Sequence, residues 1–405
     1  MPDMSNRASS RLLLGAVVVS AVGDLLFSLY VAWTLATTYD SIMAAAGVIA
    51  TSVLFRALVA FLSGSLIDRV NKRLLCVGAN IGCIVVLSIF ALLGDQVMGS
   101  VVLVTTLVVA NNVFNELFTR AYVVSASLLL PEDRFLRFQA RTTIGLRVVA
   151  TVGAALAGWL ISTLTQRSVV LLDIASFVLA AALCAFVKPP TAPREHPPRR
   201  ITPWTDLVMV ARRISRDTYL RSFVLLMLVL NLAYGFVPLL FPLVLAREHS
   251  SALDLGWLRA GIAVGEIVGL VIMERLAIHV GALFRASMIG CGLAVFLAGL
   301  GFPLAVGVAL LALYGAFDSL SQPLFSHTVM QIDPAERGRV LGGIDGLILL
   351  TPSLGILIGS RLAEMAVWSA GLFIAVAFLA GLVIVMSVPS LRSVRKITTA
   401  EEGAT

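Results

Sequence analysis

Charge is scarce in this 405-residue chain: 13% of its residues are Asp, Glu, Lys or Arg, and lysine occurs only at Lys72, Lys188 and Lys396. None of these lysines follows a glycine in a phosphate-cradling loop, so no nucleotide-hydrolysing engine is encoded. Cysteine is as thin, at Cys76, Cys83, Cys184 and Cys291, all inside apolar runs. That placement excludes a disulfide framework and a metal knot, and makes the thiols small apolar fillers. The four histidines are scattered without ligand spacing, so no metal site and no cofactor is expected. A paired nucleophile and base is also missing, and no soluble domain exists through which to signal. A membrane enzyme or a receptor therefore ranks far below a carrier of solutes.

Long apolar runs fill the chain instead. The residues are 59% hydrophobic and the mean hydropathy is +0.97, far outside the range of soluble domains. A helix needs about 20 apolar residues to cross the hydrocarbon layer. Twelve runs meet that requirement: 12–36, 42–66, 74–94, 100–130, 142–162, 168–187, 221–246, 254–274, 282–302, 303–330, 340–362 and 368–388. The expected fold is an all-α membrane protein of twelve transmembrane helices in two six-helix halves. The first run is too long and too poorly punctuated for a cleaved signal peptide and is kept as a span.

One connector is long, 188–220, with a proline-rich start that reads as extended and a second part that reads as a surface helix. It divides the chain into an N-terminal half, 1–187, and a C-terminal half with its tail, 221–405. Nearly all connector and tail Lys and Arg fall on one side of the twelve spans, and the other side holds chiefly Arg167 and Arg247. By the positive-inside rule both termini are cytoplasmic, in a multi-pass protein of the cell (inner or plasma) membrane. Trp33, Trp159, Trp257 and Trp368 then fall at outer span ends, where an interfacial indole is favoured. The net charge of +7 is this topology signal, aided by anionic lipid, and calls for no nucleic acid.

The halves look related. "PEDR" at Pro131 to Arg134 and "PAER" at Pro334 to Arg337 share an offset of 203 residues, and at nearly that offset Glu116 faces Asp318. Span order, loop chemistry and the intramembrane acid together argue for a duplicated six-helix unit.

The connector between the second and third spans reads "GSLIDRVNKR". Its Gly64, Leu66, Asp68, Arg69, Lys72 and Arg73 resemble the signature loop of the major facilitator superfamily. The usual second glycine is replaced by Asn71, another residue able to adopt a left-handed turn. The resemblance implies a cytoplasmic gating latch made by Gly64, Asp68, Arg69, Lys72 and Arg73. The other reading is an ordinary positive-inside loop, in which an acid serves no topological purpose. "GDLLFSLYVAW", "LLDIASFVLAAAL" and "ERGRVLG" extend the likeness to the branch of macrolide-efflux and enterobactin-export proteins. In span five, Gly145, Gly153 and Gly158 are similar to a glycine-rich antiporter motif without its Gly-Pro; they read equally as close-packing residues.

A charge at the bilayer centre costs about 2.5–3.5 kcal/mol on insertion scales, so intramembrane charges are leads. Asp24 lies in the first span; Glu116 and Arg120 share a face in the fourth, as do Asp318 and Gln322 in the tenth. In the superfamily, helices one, four, seven and ten line a central cavity. That places Asp24, Glu116, Arg120, Asn231, Tyr234, Asp318 and Gln322 around it as candidate substrate and proton residues. Phe27, Tyr30, Phe114, Tyr234, Phe241 and Tyr314 are available to hold an apolar body. The structural alternative pairs Glu116 with Arg120, and Asp24 with Arg56 or Arg147. Glu266 and Glu274 in the eighth span are weaker leads, and Asp173 and Asp345 fall near span ends, where solvation makes them cheap. Pro238, Pro242 and Pro323 read as kinks.

The resemblance implies a secondary active transporter, exporting an amphiphilic small molecule in exchange for protons by alternating access. Uptake or flipping of a lipid-like solute is the alternative. The expected partners are the small-molecule substrate, protons and membrane lipid, and the expected working form is a monomer.

Overall fold

A computed structural model describes residues 2–39, 41–63, 67, 70–187, 208, 211–212, 214–249, 251–275, 280–321, 344 and 346–387. All the regular structure in it is helical. In lipid, every backbone N–H and C=O must find a partner within the segment, and only a helix achieves this without neighbouring strands.

The first six long helices are α1 (Pro2–Thr38), α2 (Ile42–Leu62), α3 (Lys72–Leu93), α4 (Val101–Leu129), α5 (Glu132–Thr163) and α6 (Gln166–Ala185), with a short turn at Asp95–Met98. The second six are α7 (Thr218–Phe236, continued by Leu240–His249), α8 (Ala252–Arg275), α9 (Val280–Ala298), α10 (Leu304–Ser319), α11 (Thr351–Met365) and α12 (Val367–Ser387). Eleven of these are long and apolar enough to cross a membrane, and α10 is a shorter apolar helix. The twelve spans read from hydropathy each have a helix at their place. Between the two parts of α7 the helix breaks at 237–239, beside Pro238 and Pro242, as the proline pattern anticipates.

Helix starts are chosen by side chains that accept the first free N–H groups. Ser41 accepts from Ala44 N, Asn71 from Arg73 N and Leu74 N, Thr165 from Ser168 N, and Asp217 from Tyr219 N and Leu220 N. Asn71 corrects one expectation: at φ −60° it is extended and caps α3, rather than replacing a left-handed glycine.

The chain divides into two compact units, Met1–Arg200 with Ala246–Ala260, and Ile201–Leu245 with Gly261–Thr405. Within the first, α1 packs on α5 and α6, α3 on α4 and α6, and α2 on α4. Within the second, α7 packs on α11 and α12, and α9 on α10 and α12. Shifted by six helices, four of the five pairings of the first unit recur in the second. The core of unit 1 joins Leu13, Ala16 and Val17 of α1 to Cys76 and Ala79 of α3, Phe118 and Ala121 of α4, and Ala180 and Cys184 of α6. Small residues dominate these contacts because helices gain no hydrophobic drive from leaving lipid and depend on close packing instead.

Glycines achieve that packing differently in the two units. A Cβ on Gly23 of α1 would run into the side chains of Ser176 and Asp173, and one on Gly82 of α3 into the ring of Phe114. In unit 2 the obstacle is more often backbone. Gly235 of α7 abuts the Pro352 carbonyl, Gly355 of α11 the Leu232 carbonyl, and Gly265 of α8 the Ala312 carbonyl. Gly145 and Gly153 of α5 lie against Val18 and Leu25, and Gly158 against the Ala252 carbonyl and Gly256, so all three pack closely.

Candidate functional site

Unit 1 gathers charge around one carboxylate. Glu116, 4% exposed on α4, has both oxygens engaged: Oε2 accepts from Arg56 Nε of α2 at 2.8 Å, and Oε1 from Arg120 Nε at 2.7 Å. The second contact is the intrahelical pair that i,i+4 spacing allows. The first is tertiary and depends on α2 lying against α4. Both arginine side chains remain about half exposed, at 49% and 46%. Each therefore offers free N–H groups to the surroundings while Glu116 offers little. On α1, Asp24 lies beside Arg56 and near the Asn115 side chain of α4. The result is a chain of alternating charge, Asp24, Arg56, Glu116, Arg120, across three helices.

Asp173 of α6 sits behind this chain. It is fully buried, at 0% exposure, which corrects its reading as a cheap, solvated acid near a span end. Its Oδ1 accepts from the Ser176 hydroxyl at 3.3 Å, Oδ2 has no hydrogen-bond partner, and Asp24 lies close by. Gly23 allows the approach, since a side chain there would collide with Asp173.

Unit 2 sets a phenol beside its acid. Tyr234 of α7 reaches the Asp318 carboxylate of α10 through its phenol, and the Ser321 hydroxyl donates to the Asp318 backbone carbonyl at 2.7 Å. Tyr234 and Tyr314 both meet the ring of Phe378 edge-on, at centroid distances of 5.9 and 6.1 Å. The aromatic frame fixes the two phenols. Asn231 turns back on its own helix, its Nδ2 donating to the Met227 carbonyl at 2.8 Å.

The candidate residues thus fall into two groups, Asp24, Glu116 and Arg120 in one unit, and Tyr234 and Asp318 in the other. Several of the aromatic candidates serve packing instead. Phe27 is 3% exposed and meets Phe90 edge-on at 5.2 Å, Phe241 is fully buried against Phe236, and Tyr314 is 2% exposed. Their bulk is what fills the gaps left by small residues on neighbouring helices. Of the gating-loop candidates, Lys72 is 7% exposed and its ammonium donates to the Ile67 and Val70 carbonyls, while Arg73 is exposed. Gly64, Asp68, Arg69, Gln322, Pro323, Asp345 and the "PAER" and "ERGRVLG" segments lie outside the described residues, as does most of the connector 188–220.

Arg259 is among the intramembrane charges that escaped the sequence reading. Arg259 lies in α8, in the run "ALDLGWLRAGIAVGEIVGL", with no acid at i±3 or i±4. Its signal was present as a lone charge in an apolar span.

A family model described as Major Facilitator Superfamily matches residues 12–334. Among curated proteins, the chain is 28% identical over 254 residues to the enterobactin exporter EntS of Citrobacter koseri. It is 27% identical over the same length to EntS of Shigella boydii serotype 18. Each match covers 62% of this chain and 59% of the relative, so less than two thirds of those exporters is spanned. Among solved structures, the nucleoside transporter NupG aligns at a TM-score of 0.69 and 14% identity, over 93% of this chain and 99% of that one. A bacterial homologue of the iron transporter ferroportin, in an inward-facing state, aligns at 0.66 and 17%, over 96% and 99%. At these identities the structural likeness is one of fold.

Proposed function

The chain belongs to the Major Facilitator Superfamily, and on that premise we propose that it is a proton-coupled exporter of an amphiphilic small molecule, working by alternating access of its two six-helix halves. It is a multi-pass membrane transporter and not an enzyme. The observation that carries the coupling is the contrast between Glu116, held between Arg56 and Arg120, and Asp318, served by the phenol of Tyr234. Glu116 has both oxygens committed to guanidinium N–H groups of its own unit, whereas Asp318 lies beside a phenol, which can donate to a charged carboxyl or accept from a neutral one. Asp318 is therefore the proposed proton carrier, with Asp24 as the acid of unit 1 nearest to it in role.

Export, rather than uptake, is supported by the likeness to the enterobactin exporters. The basic connectors and tails support cytoplasmic termini, and the "GSLIDRVNKR" segment supports a gating latch on that side. The connector 188–220 is proposed to join the halves, and the monomer to be the working form.

The test is accumulation of a panel of fluorescent amphiphiles in cells stripped of their own efflux pumps, with and without a proton uncoupler. Cells with the intact protein should accumulate less of at least one compound, and the uncoupler or Asp318→Asn should abolish the difference. Equal accumulation of every compound, with membrane expression confirmed, overturns the export reading.

A further inference from the structure

Arg259 of α8, like Arg285 of α9, is an intramembrane arginine with no hydrogen bond or ion pair from the described residues. Arg56 and Arg120 share Glu116, Arg56 also has Asp24 nearby, and Arg147 takes part in an interaction of its own. No hydrogen bond or ion pair reaches Arg259 from any of the described residues. It stands seven residues beyond the start of α8 at Ala252, roughly 10 Å along the helix axis.

The helix itself shows which way it points. Trp257, Val264, Val268 and Val271 are all exposed and form one stripe along α8, the face turned outward. Arg259 falls on the other side, flanked by the buried Leu255, Leu258, Ile262 and Ala263. Arg259 itself is only partly buried. Among acids on the same helix, Asp254 sits five residues before it, and Glu266, seven after, is engaged elsewhere. A guanidinium in this setting is always charged, and its planar fork of donors matches an oxyanion in two-point contact. Keeping such a charge within a span, with no counter-charge among the described residues, is costly unless something else supplies one.

We propose that Arg259 binds an oxyanionic group, such as a carboxylate, on the transported solute, and so sets the charge class of the substrate. The proposal rests on the transport reading above and narrows it: the amphiphile carries a negative group. Arg259 supplies the anchor, and the apolar remainder of the solute meets the surrounding side chains.

The experiment uses the full-length protein in dodecyl maltoside, a detergent without charge, and three probes that share a naphthalene body and carry a carboxylate, a carboxamide or an aminomethyl group. Affinity is read from the rise in Tm with probe concentration. The carboxylate should bind roughly tenfold or more tightly than the carboxamide, the ratio expected of a charge-assisted hydrogen-bonded pair. Arg259→Gln should abolish that preference, and Arg259→Lys should keep part of it, having the charge but not the fork. Without probe, Arg259→Gln should be as stable as the intact protein or more so, because it removes an unmatched charge; a merely structural arginine would give the reverse.

A carboxylate that binds no better than the other probes, or a preference that survives Arg259→Gln, overturns the proposal. So does stabilisation by short-chain phosphatidylglycerol that depends on Arg259 while the carboxylate probe has no effect, since the oxyanion would then be a lipid headgroup. Binding is measured without any gradient, so proton-driven export can fail with the carboxylate preference intact, and the preference can fail with export intact.

Discussion

In unit 1, Glu116 is gripped by Arg56 at 2.8 Å and Arg120 at 2.7 Å, whereas in unit 2 its counterpart Asp318 meets the phenol of Tyr234. The two acids occupy matching places on α4 and α10 of a repeated six-helix pattern. The duplication preserved where an acid stands and changed what it stands against. A carboxylate clamped by two cations contributes to assembly, because removing it leaves two guanidiniums facing one another. One beside a phenol has a neighbour that can hydrogen-bond its charged and its neutral form alike, which suits a proton carrier.

The glycines divide along similar lines. Those of α1 and α3 make room for side chains, Asp173 and Phe114 among them, while Gly235, Gly265 and Gly355 bring helix backbones together. Gly23 and Gly82 thus seat side chains in unit 1, and Gly235, Gly355 and Gly265 bring α7 against α11 and α8 against α10 in unit 2.

The sharpest way to break the comparison is Glu116→Gln. It should lower stability by about 2–4 kcal/mol, toward the lower end of the cost of breaking a buried pair because Arg56 and Arg120 are half exposed. Thermal unfolding of the purified protein measures this, and Glu116→Gln combined with Arg120→Gln should recover part of the loss. If Glu116→Gln is neutral, the clamp is not structural.

Asp318→Asn should do the opposite, leaving Tm within a few degrees while cutting proton-driven transport by about tenfold or more. Transport in proteoliposomes under an imposed pH gradient, with binding measured separately, distinguishes lost coupling from lost affinity. A large drop in Tm would place Asp318 with Glu116 as a structural acid.

Gly265→Ala tests the backbone contact and should cost about 1–3 kcal/mol, since its Cβ would overlap the Ala312 carbonyl. Gly23→Ala should cost a similar amount, because the Ser176 hydroxyl can rotate away but the Ser176 Cβ and the buried Asp173 carboxylate also stand in its path. The smallest effect is expected for Asn231→Ala, within about 1 kcal/mol and with transport nearly unchanged, because its amide donates to the Met227 carbonyl of its own helix. Strong loss of transport in Asn231→Ala would give that residue a contact with solute.

Much of this was legible in the residues. Asp24, Glu116 and Asp318 stood out as charges in apolar runs, and the Glu116–Arg120 pair followed from spacing alone. The break beside Pro238 followed from proline chemistry. The readings that failed share a cause. Asp173 was judged by its distance from a span end, but its exposure is set by α1, which covers it at Gly23. Phe27 and Phe241 were judged by type, but a neighbouring ring decides whether an aromatic lines a space or fills one.

By itself the sequence determined the twelve apolar spans, the break in α7 and the positions of the intramembrane charges, because span length, proline and the cost of burying charge act locally along the chain. Only the tertiary structure decided that Arg56 reaches Glu116 across α2 and α4, that Asp318 is met by Tyr234, and that Arg259 has no partner among the described residues. Each depends on the rotation of one helix against the next, which is fixed by the close fit of side chains and glycines at the crossing.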